Sequence, residues 1–244
     1  MANGGDDDDD DARWLGSSDE VKVNQRALVE KILSRYALDF FLLKELIQNA
    51  DDAQAKHVTV AFETGEPLNS AEALSGEPTF ASLTVTNRGG NPFTADGWDR
   101  IVEIATGNPD ENSVGHFGVG FYSVFAASDS PCISSVGRRM EFFWRGQGIA
   151  VRRELAHDTV GGETTITLVL KPTAEARCWQ IPKLRQFLSR ALCFLKHVVR
   201  IDLDVDGATV AMLTRDQAGD DEADFLVDSG RGGSTLPSPG APLL

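Results

Sequence analysis

A short segment near residue 45 carries three polar side chains at the spacing of one helix face. Glu45, Asn49 and Asp52 follow one another at intervals of four and three residues, with mostly apolar residues between them. These intervals place side chains on one side of an α-helix. A carboxylate there can take a proton from an attacking water, and an amide oxygen can ligate Mg²⁺. The alternative for this segment alone is an amphipathic helix with a solvated polar face.

A glycine-rich turn follows further along the chain, where the sequence reads Gly115-His-Phe-Gly-Val-Gly-Phe-Tyr-Ser123. Glycine lets backbone N–H groups approach phosphate oxygens, and a helix beginning there adds positive partial charge. The pattern predicts such a helix over residues 119–127. No Gly-Lys-Ser/Thr follows the turn, so it is not a P-loop. A plain tight turn is the alternative, but together with the polar helix face the turn suggests a nucleotide site.

The elements that must position these residues can be predicted from hydrophobic periodicity. Helices are expected at residues 21–36, 40–54, 98–105, 119–127 and 183–197. Strands are expected at residues 57–62, 82–86, 132–136, 141–144, 149–153, 164–171, 199–205 and 208–213. Because strands and helices do not alternate strictly, a doubly wound parallel sheet is unfavoured. The predicted class is α+β, a two-layer α/β sandwich with a mixed, mostly antiparallel sheet covered by helices.

The negative charge of the chain is concentrated at its ends. The net charge is −14, of which residues 1–20 carry −7 and residues 216–244 carry −5. We therefore expect an acidic disordered tail at 1–20, a domain at 21–206, a final hairpin strand at 207–215 and a flexible tail at 216–244. The negative net charge argues against unaided binding to nucleic acid, because it would repel the phosphates. Three widely spaced cysteines and the acidic start predict reduced thiols in an intracellular protein.

The two motifs, in this order, resemble those of the GHKL (Bergerat-fold) ATPase superfamily. The similarity is strongest to the N-terminal ATPase domain of the ninety-kilodalton heat-shock chaperone and to sacsin-type ATPase modules. It rests on the segment Glu45-Leu-Ile-Gln-Asn-Ala-Asp-Asp-Ala53 and on the glycine turn, and it extends over roughly residues 21–206. The resemblance implies the histidine kinase-like ATPase fold, with ATP and Mg²⁺ as cofactors.

The resemblance also implies roles for individual residues. Glu45 would be the catalytic general base, and Asn49 would be the Mg²⁺ ligand. The other residues that it places around the nucleotide are Asp52, Ala53, Lys56, Asn87, Gly89, Gly115, Phe117, Gly118, Val119, Gly120, Phe121 and Thr164.

Two features depart from the family pattern. Asn87 stands where the family has the Asp that reads adenine, and a neutral amide is a weaker acceptor than a carboxylate. The segment between Ile104 and Gly115 is shorter than the lid of the chaperone, and a short lid would exclude water less well. Slow hydrolysis is therefore expected.

Three functions follow from these observations. The first is a Mg²⁺-dependent ATP-binding domain, a weak ATPase that acts as a chaperone-like nucleotide switch. The second is a nucleotide sensor without hydrolysis, and the third is a protein-interaction module that has lost nucleotide binding. Expected partners are ATP or ADP, protein clients or co-chaperones, and further domains of a larger protein, but neither nucleic acid nor membrane. The cytoplasm is the expected compartment, with the nucleus as the alternative.

Overall fold

The computed structural model describes residues 24–33, 40–65, 79–102, 120–155 and 162–215. The two acidic ends and the short lid segment lie outside these ranges, so the expectations for them remain predictions. The strands in these ranges form a single sheet, and the helices lie between them in the sequence or precede them.

A mixed eight-stranded sheet forms the centre of the fold. Its strands are β1 (His57–Thr64), β2 (Phe80–Arg88), β3 (Cys132–Ser135), β4 (Arg138–Arg145), β5 (Gly148–Leu155), β6 (Thr164–Val169), β7 (Arg200–Val205) and β8 (Ala208–Thr214). Their order across the sheet is β5-β4-β3-β6-β2-β1-β7-β8. The β1–β7 pair is parallel and the other neighbouring pairs are antiparallel. The prediction of a mixed, mostly antiparallel sheet is confirmed.

Helices connect and flank these strands. The described α-helices are α1 (Gln25–Leu33), α2 (Phe41–Asp52), α3 (Ala95–Arg100) and α4 (Ile181–Phe194), and the 3₁₀ helices are η1 (Phe121–Ala126) and η2 (Glu175–Cys178). The sequence placed the end of α4 at residue 197. The helix ends earlier because the backbone N–H groups of Lys196, His197 and Val198 donate to a carboxylate on α2 instead of continuing the helix.

The segment after the glycine turn differs from its prediction. An α-helix was expected over residues 119–127, and the structure has the shorter 3₁₀ helix η1. Its residues from Phe121 to Phe125 are all buried, which leaves no solvent-facing stripe of the kind an amphipathic α-helix needs. The helix-dipole contribution expected at this turn is therefore smaller than a full α-helix would give.

The buried core contains residues from both the helices and the strands. Along β1 the side chains of Val58, Val60 and Phe62 are fully buried and alternate with half-exposed residues, as expected for a strand covered on one face. The class is thus α+β, and the two-layer arrangement remains a prediction. In the described ranges, no helix is long and apolar enough to cross a membrane.

Candidate functional site

The carboxylate of Glu45 lies against the last glycine of the turn. A Cβ built on Gly120 would stand 2.5 Å from Glu45 Oε2, closer than Cβ atoms normally approach, so a side chain there would displace the carboxylate. Glycine at position 120 therefore makes room for the carboxylate. Glu45 is only 21% exposed, and Lys44 Nζ lies 3.6 Å from its other oxygen. The two sequence motifs thus meet at this contact.

Both ends of α2 are fixed, and this positions Glu45. At the start, Phe40 has a left-handed backbone (φ 61°), and its ring packs 4.9 Å from that of Trp179 and 5.0 Å from that of Phe187. At the end, Asp51 accepts hydrogen bonds from the loop at residues 196–198. Between them, Leu43 and Leu46 are almost fully buried on the opposite side of the helix.

The polar face of α2 continues beyond Glu45. Asn49 is half-buried, and its side chain makes no hydrogen bond within the described ranges. Gln48 Nε2 donates to Asp52 Oδ1 at 3.1 Å. Burial raises the pKa of Asp52 above its usual range. The side-chain amide of Asn49, one turn beyond Glu45, therefore has no hydrogen-bond partner in the described ranges. Asp52, in contrast, already accepts a hydrogen bond from Gln48.

Asp51 is a residue of this motif that the sequence reasoning did not single out. It is 2% exposed, and its two oxygens accept backbone N–H groups from Lys196, His197 and Val198 at 2.9, 2.7 and 2.9 Å. Burial alone would raise the pKa of this carboxyl, but the three donors hold it below its ordinary value. Asp51 anchors the end of α2 to the loop before β7. No local sequence signal could have identified partners so far along the chain.

The loop after β2 packs directly on the end of α2. A Cβ on Gly90 would lie 2.7 Å from both Ala53 O and Ala55 N, so only glycine fits this approach. Asn91 N donates to Ala53 O at 2.6 Å, and Lys56 N donates to the carbonyl of Arg88. The exposed Lys56 side chain lies beside Gly89, whose φ is +69°. The predicted residues Ala53, Lys56 and Gly89 are therefore brought together.

A row of polar side chains crosses the inner face of the sheet beside this loop. Asn87 pairs with Thr164 across β2 and β6, and Thr164 pairs with Ser135 across β6 and β3. Asn87 Oδ1 accepts the backbone N–H of Thr164 at 3.0 Å, and the hydroxyls of Thr164 and Ser135 are 2.8 Å apart. Phe93 N donates to Ser135 Oγ at 3.3 Å. The predicted residues Asn87 and Thr164 are thus connected by a hydrogen bond. Ser135 is a third member of this row, and the sequence analysis did not identify it.

Part of the predicted site falls outside the described ranges. Four residues of the glycine turn, namely Gly115, Phe117, Gly118 and Val119, are in this group. Phe121 is described and is buried, with its ring centroid 5.1 Å from that of Phe142. Its side chain is thus part of the core, and only its backbone remains available to a ligand.

Comparison with known families decides where the chain belongs. The model of the Sacsin domain family matches residues 22–143, which is half of the sequence. The chain belongs to the Sacsin domain family. The match includes Glu45, Asn49, Asn87 and Gly120, whereas Thr164 lies beyond it.

Individual relatives extend the similarity over more of the chain. Human sacsin is 37% identical over 113 residues, which cover 44% of this chain and 2% of sacsin. The chaperone protein HtpG of Frankia casuarinae is 24% identical over 236 residues, which cover 82% of this chain and 36% of HtpG. The endoplasmin homolog of Catharanthus roseus is 27% identical over 184 residues, 65% of this chain and 22% of that protein. This sacsin domain therefore spans about a third of the length of these relatives, or much less.

Proposed function

We propose that this sacsin domain binds ATP with Mg²⁺ between α2, the loop after β2 and the glycine turn, and hydrolyses it slowly. The observation that carries the proposal is the contact of Glu45 with Gly120. It sets a partly buried carboxylate, suited to act as a general base, against the backbone that would hold phosphate oxygens. A side chain at position 120 would push this flexible carboxylate out of its present position, whereas glycine leaves it against the backbone.

The chemistry of the residues around Glu45 fits a magnesium–phosphate group. Asn49 offers a hard oxygen ligand on the same helix face, and its side chain has no hydrogen-bond partner in the described part of the chain. The ion would neutralise charge on the phosphates. In this proposal Glu45 orients a water and accepts its proton, while Asn49 binds the ion.

The other predicted residues supply the remainder of the site in this proposal. Asn87 and Thr164, joined by a hydrogen bond, form the base end. Asp52, Ala53, Lys56 and Gly89 would be further residues around the nucleotide. Gly118, Val119, Gly120 and Phe121 would hold the phosphates through their backbone, with Gly115 and Phe117 as further residues of the site.

The names of the relatives support a chaperone-like role. One is a chaperone protein, and another is an endoplasmin homolog. Because the chain spans at most 36% of these relatives, client proteins, co-chaperones and additional domains are part of the proposal. The proposed compartment is the cytoplasm, and the proposed partners include neither nucleic acid nor membranes.

The first test replaces the candidate base by its amide. Glu45→Gln keeps the size of the side chain beside Gly120 but removes the proton acceptor. We expect turnover of ATP to fall about 10²-fold or more, while ATP affinity stays within about threefold. Phosphate release and calorimetric titration measure the two quantities.

Glu175→Gln, at an exposed position on η2, is the matched control and should leave both quantities unchanged. Undiminished turnover in Glu45→Gln would remove Glu45 from the mechanism. Binding of ATP by the unmutated chain without turnover would instead support the nucleotide sensor.

A further inference from the structure

The side-chain amide of Asn87 has a fixed orientation. The atom 3.0 Å from the backbone N–H of Thr164 must be the acceptor, so Oδ1 faces Thr164. Exchanging oxygen and nitrogen would set two donors against each other. The pairing of Asn87 with Thr164 in the ladder between β2 and β6 holds both residues in this register.

This orientation decides what the amide can offer to a ligand. Nδ2 carries two hydrogens and has no acceptor within the ranges that the structure describes. Asn87 is on the same face of β2 as Leu83 and Val85, which belong to the hydrophobic core. The half-buried side chain therefore presents a donor at the base end of the proposed site.

The neighbouring hydroxyls can reinforce this donor. Ser135 Oγ accepts from Phe93 N, and its own hydrogen can then go to Thr164 Oγ1, 2.8 Å away. With that bond made, the hydrogen of the Thr164 hydroxyl is available to a ligand. The row thus offers donors from Asn87 and Thr164, whereas Oδ1, the one acceptor atom of the Asn87 side chain, already accepts from Thr164 N.

We propose that this site accepts purine nucleotides with an oxygen at C6, such as ITP and GTP, at least as well as ATP. The proposal rests on the nucleotide site proposed above and names its base preference. An oxygen at C6 is an acceptor and complements the Asn87 donor, whereas the amino group of adenine is itself a donor. A carboxylate at position 87 would offer acceptors only and would favour the amino group.

The test compares ATP with ITP, which differ in the purine only at C6 and in the proton on N1. Calorimetric titration of the full chain with each nucleotide and Mg²⁺ gives the ratio of affinities. We expect ITP to bind within threefold of ATP, or tighter. In Asn87→Asp, which retains an acceptor for Thr164 N, the ratio should change by at least tenfold in favour of ATP.

Asn91→Asp is the matched control, because it makes the same change at an exposed position of the adjacent loop. Its added charge can weaken both nucleotides together, but the ratio should stay the same. A preference of the unmutated chain for ATP of more than threefold would overturn the inference while leaving the nucleotide site intact. An unchanged ratio in Asn87→Asp, or an equal change in Asn91→Asp, would also overturn it. If neither ATP nor ITP binds, the proposed function fails and the base preference fails with it.

Discussion

Asp51 and Asp52 are adjacent carboxylates whose surroundings shift their pKa values in opposite directions. Burial raises the pKa of Asp52, while for Asp51 the opposing effect of three backbone donors is greater than that of burial.

Asp51→Asn keeps one acceptor but turns an amide N–H₂ toward backbone N–H groups. We expect the free energy of unfolding at pH 7 to fall by about 2 kcal/mol or more, because buried donors lose a charged acceptor. Urea denaturation measures this loss.

The pH dependence of that loss follows from the lowered pKa of Asp51. A carboxyl with a lowered pKa in the folded state stabilises the fold above its ordinary value of 3.8, and this contribution disappears as pH falls through the folded pKa. The difference between the unmutated chain and Asp51→Asn should therefore be constant from pH 7 to 5 and shrink below about pH 4. Asp52→Asn is the control, and it should not destabilise the fold at pH 7. Equal stability of Asp51→Asn and the unmutated chain at pH 7 would contradict the proposed role of Asp51 as a charged acceptor that stabilises the fold.

At the scale of elements, the site depends on the loop after β2 lying directly on the end of α2. In Gly90→Ala the new methyl group would meet the backbone of Ala53 and Ala55. Backbone cannot yield as a flexible side chain can, so we expect a loss of about 1 to 3 kcal/mol in unfolding free energy. Gly65→Ala is the matched control, since its Cβ would have only an ordinary contact with Ala81 at 3.9 Å. Thermal or urea denaturation compares the two, and equal stability would show that the loop can move away from the helix.

At the scale of the whole molecule, a ligand that binds only the folded state raises the apparent melting temperature. Mg²⁺ with ATP should raise the melting temperature of the full chain in a dose-dependent way, and EDTA should reduce the shift. Asn49→Ala should remove the Mg²⁺-dependent part, because it deletes the amide oxygen proposed to bind the ion. Asn24→Ala, outside the site at the start of α1, should retain that part. The absence of any shift with the unmutated chain would favour the protein-interaction module.

The sequence was informative where signals are local, and less so where partners are distant. The spacing of Glu45 and Asn49 predicted α2, and alternation predicted the strands, since both patterns arise within a few residues. The resemblance placed Asn87 and Thr164 at one end of the site, but it could not show that the N–H of Thr164 fixes the orientation of the amide. The role of Asp51 was missed because its donors come 145 to 147 residues later. The 3₁₀ form of η1 was not predicted, because no local pattern separates a fully buried 3₁₀ helix from an α-helix.

The distance along the chain between Asp51 and its donors has a consequence for biosynthesis. The ribosome makes α2 before the loop that anchors it, because the donors in that loop come 145 to 147 residues later. The same delay applies to β1, whose parallel partner β7 begins at Arg200. Pairings between segments this far apart form slowly, because a long loop must close before they gain stability. The nascent domain therefore exposes α2 without its anchoring loop, and β1 without its parallel partner β7, until residues 196–205 have emerged. We expect it to need protection from aggregation up to that point.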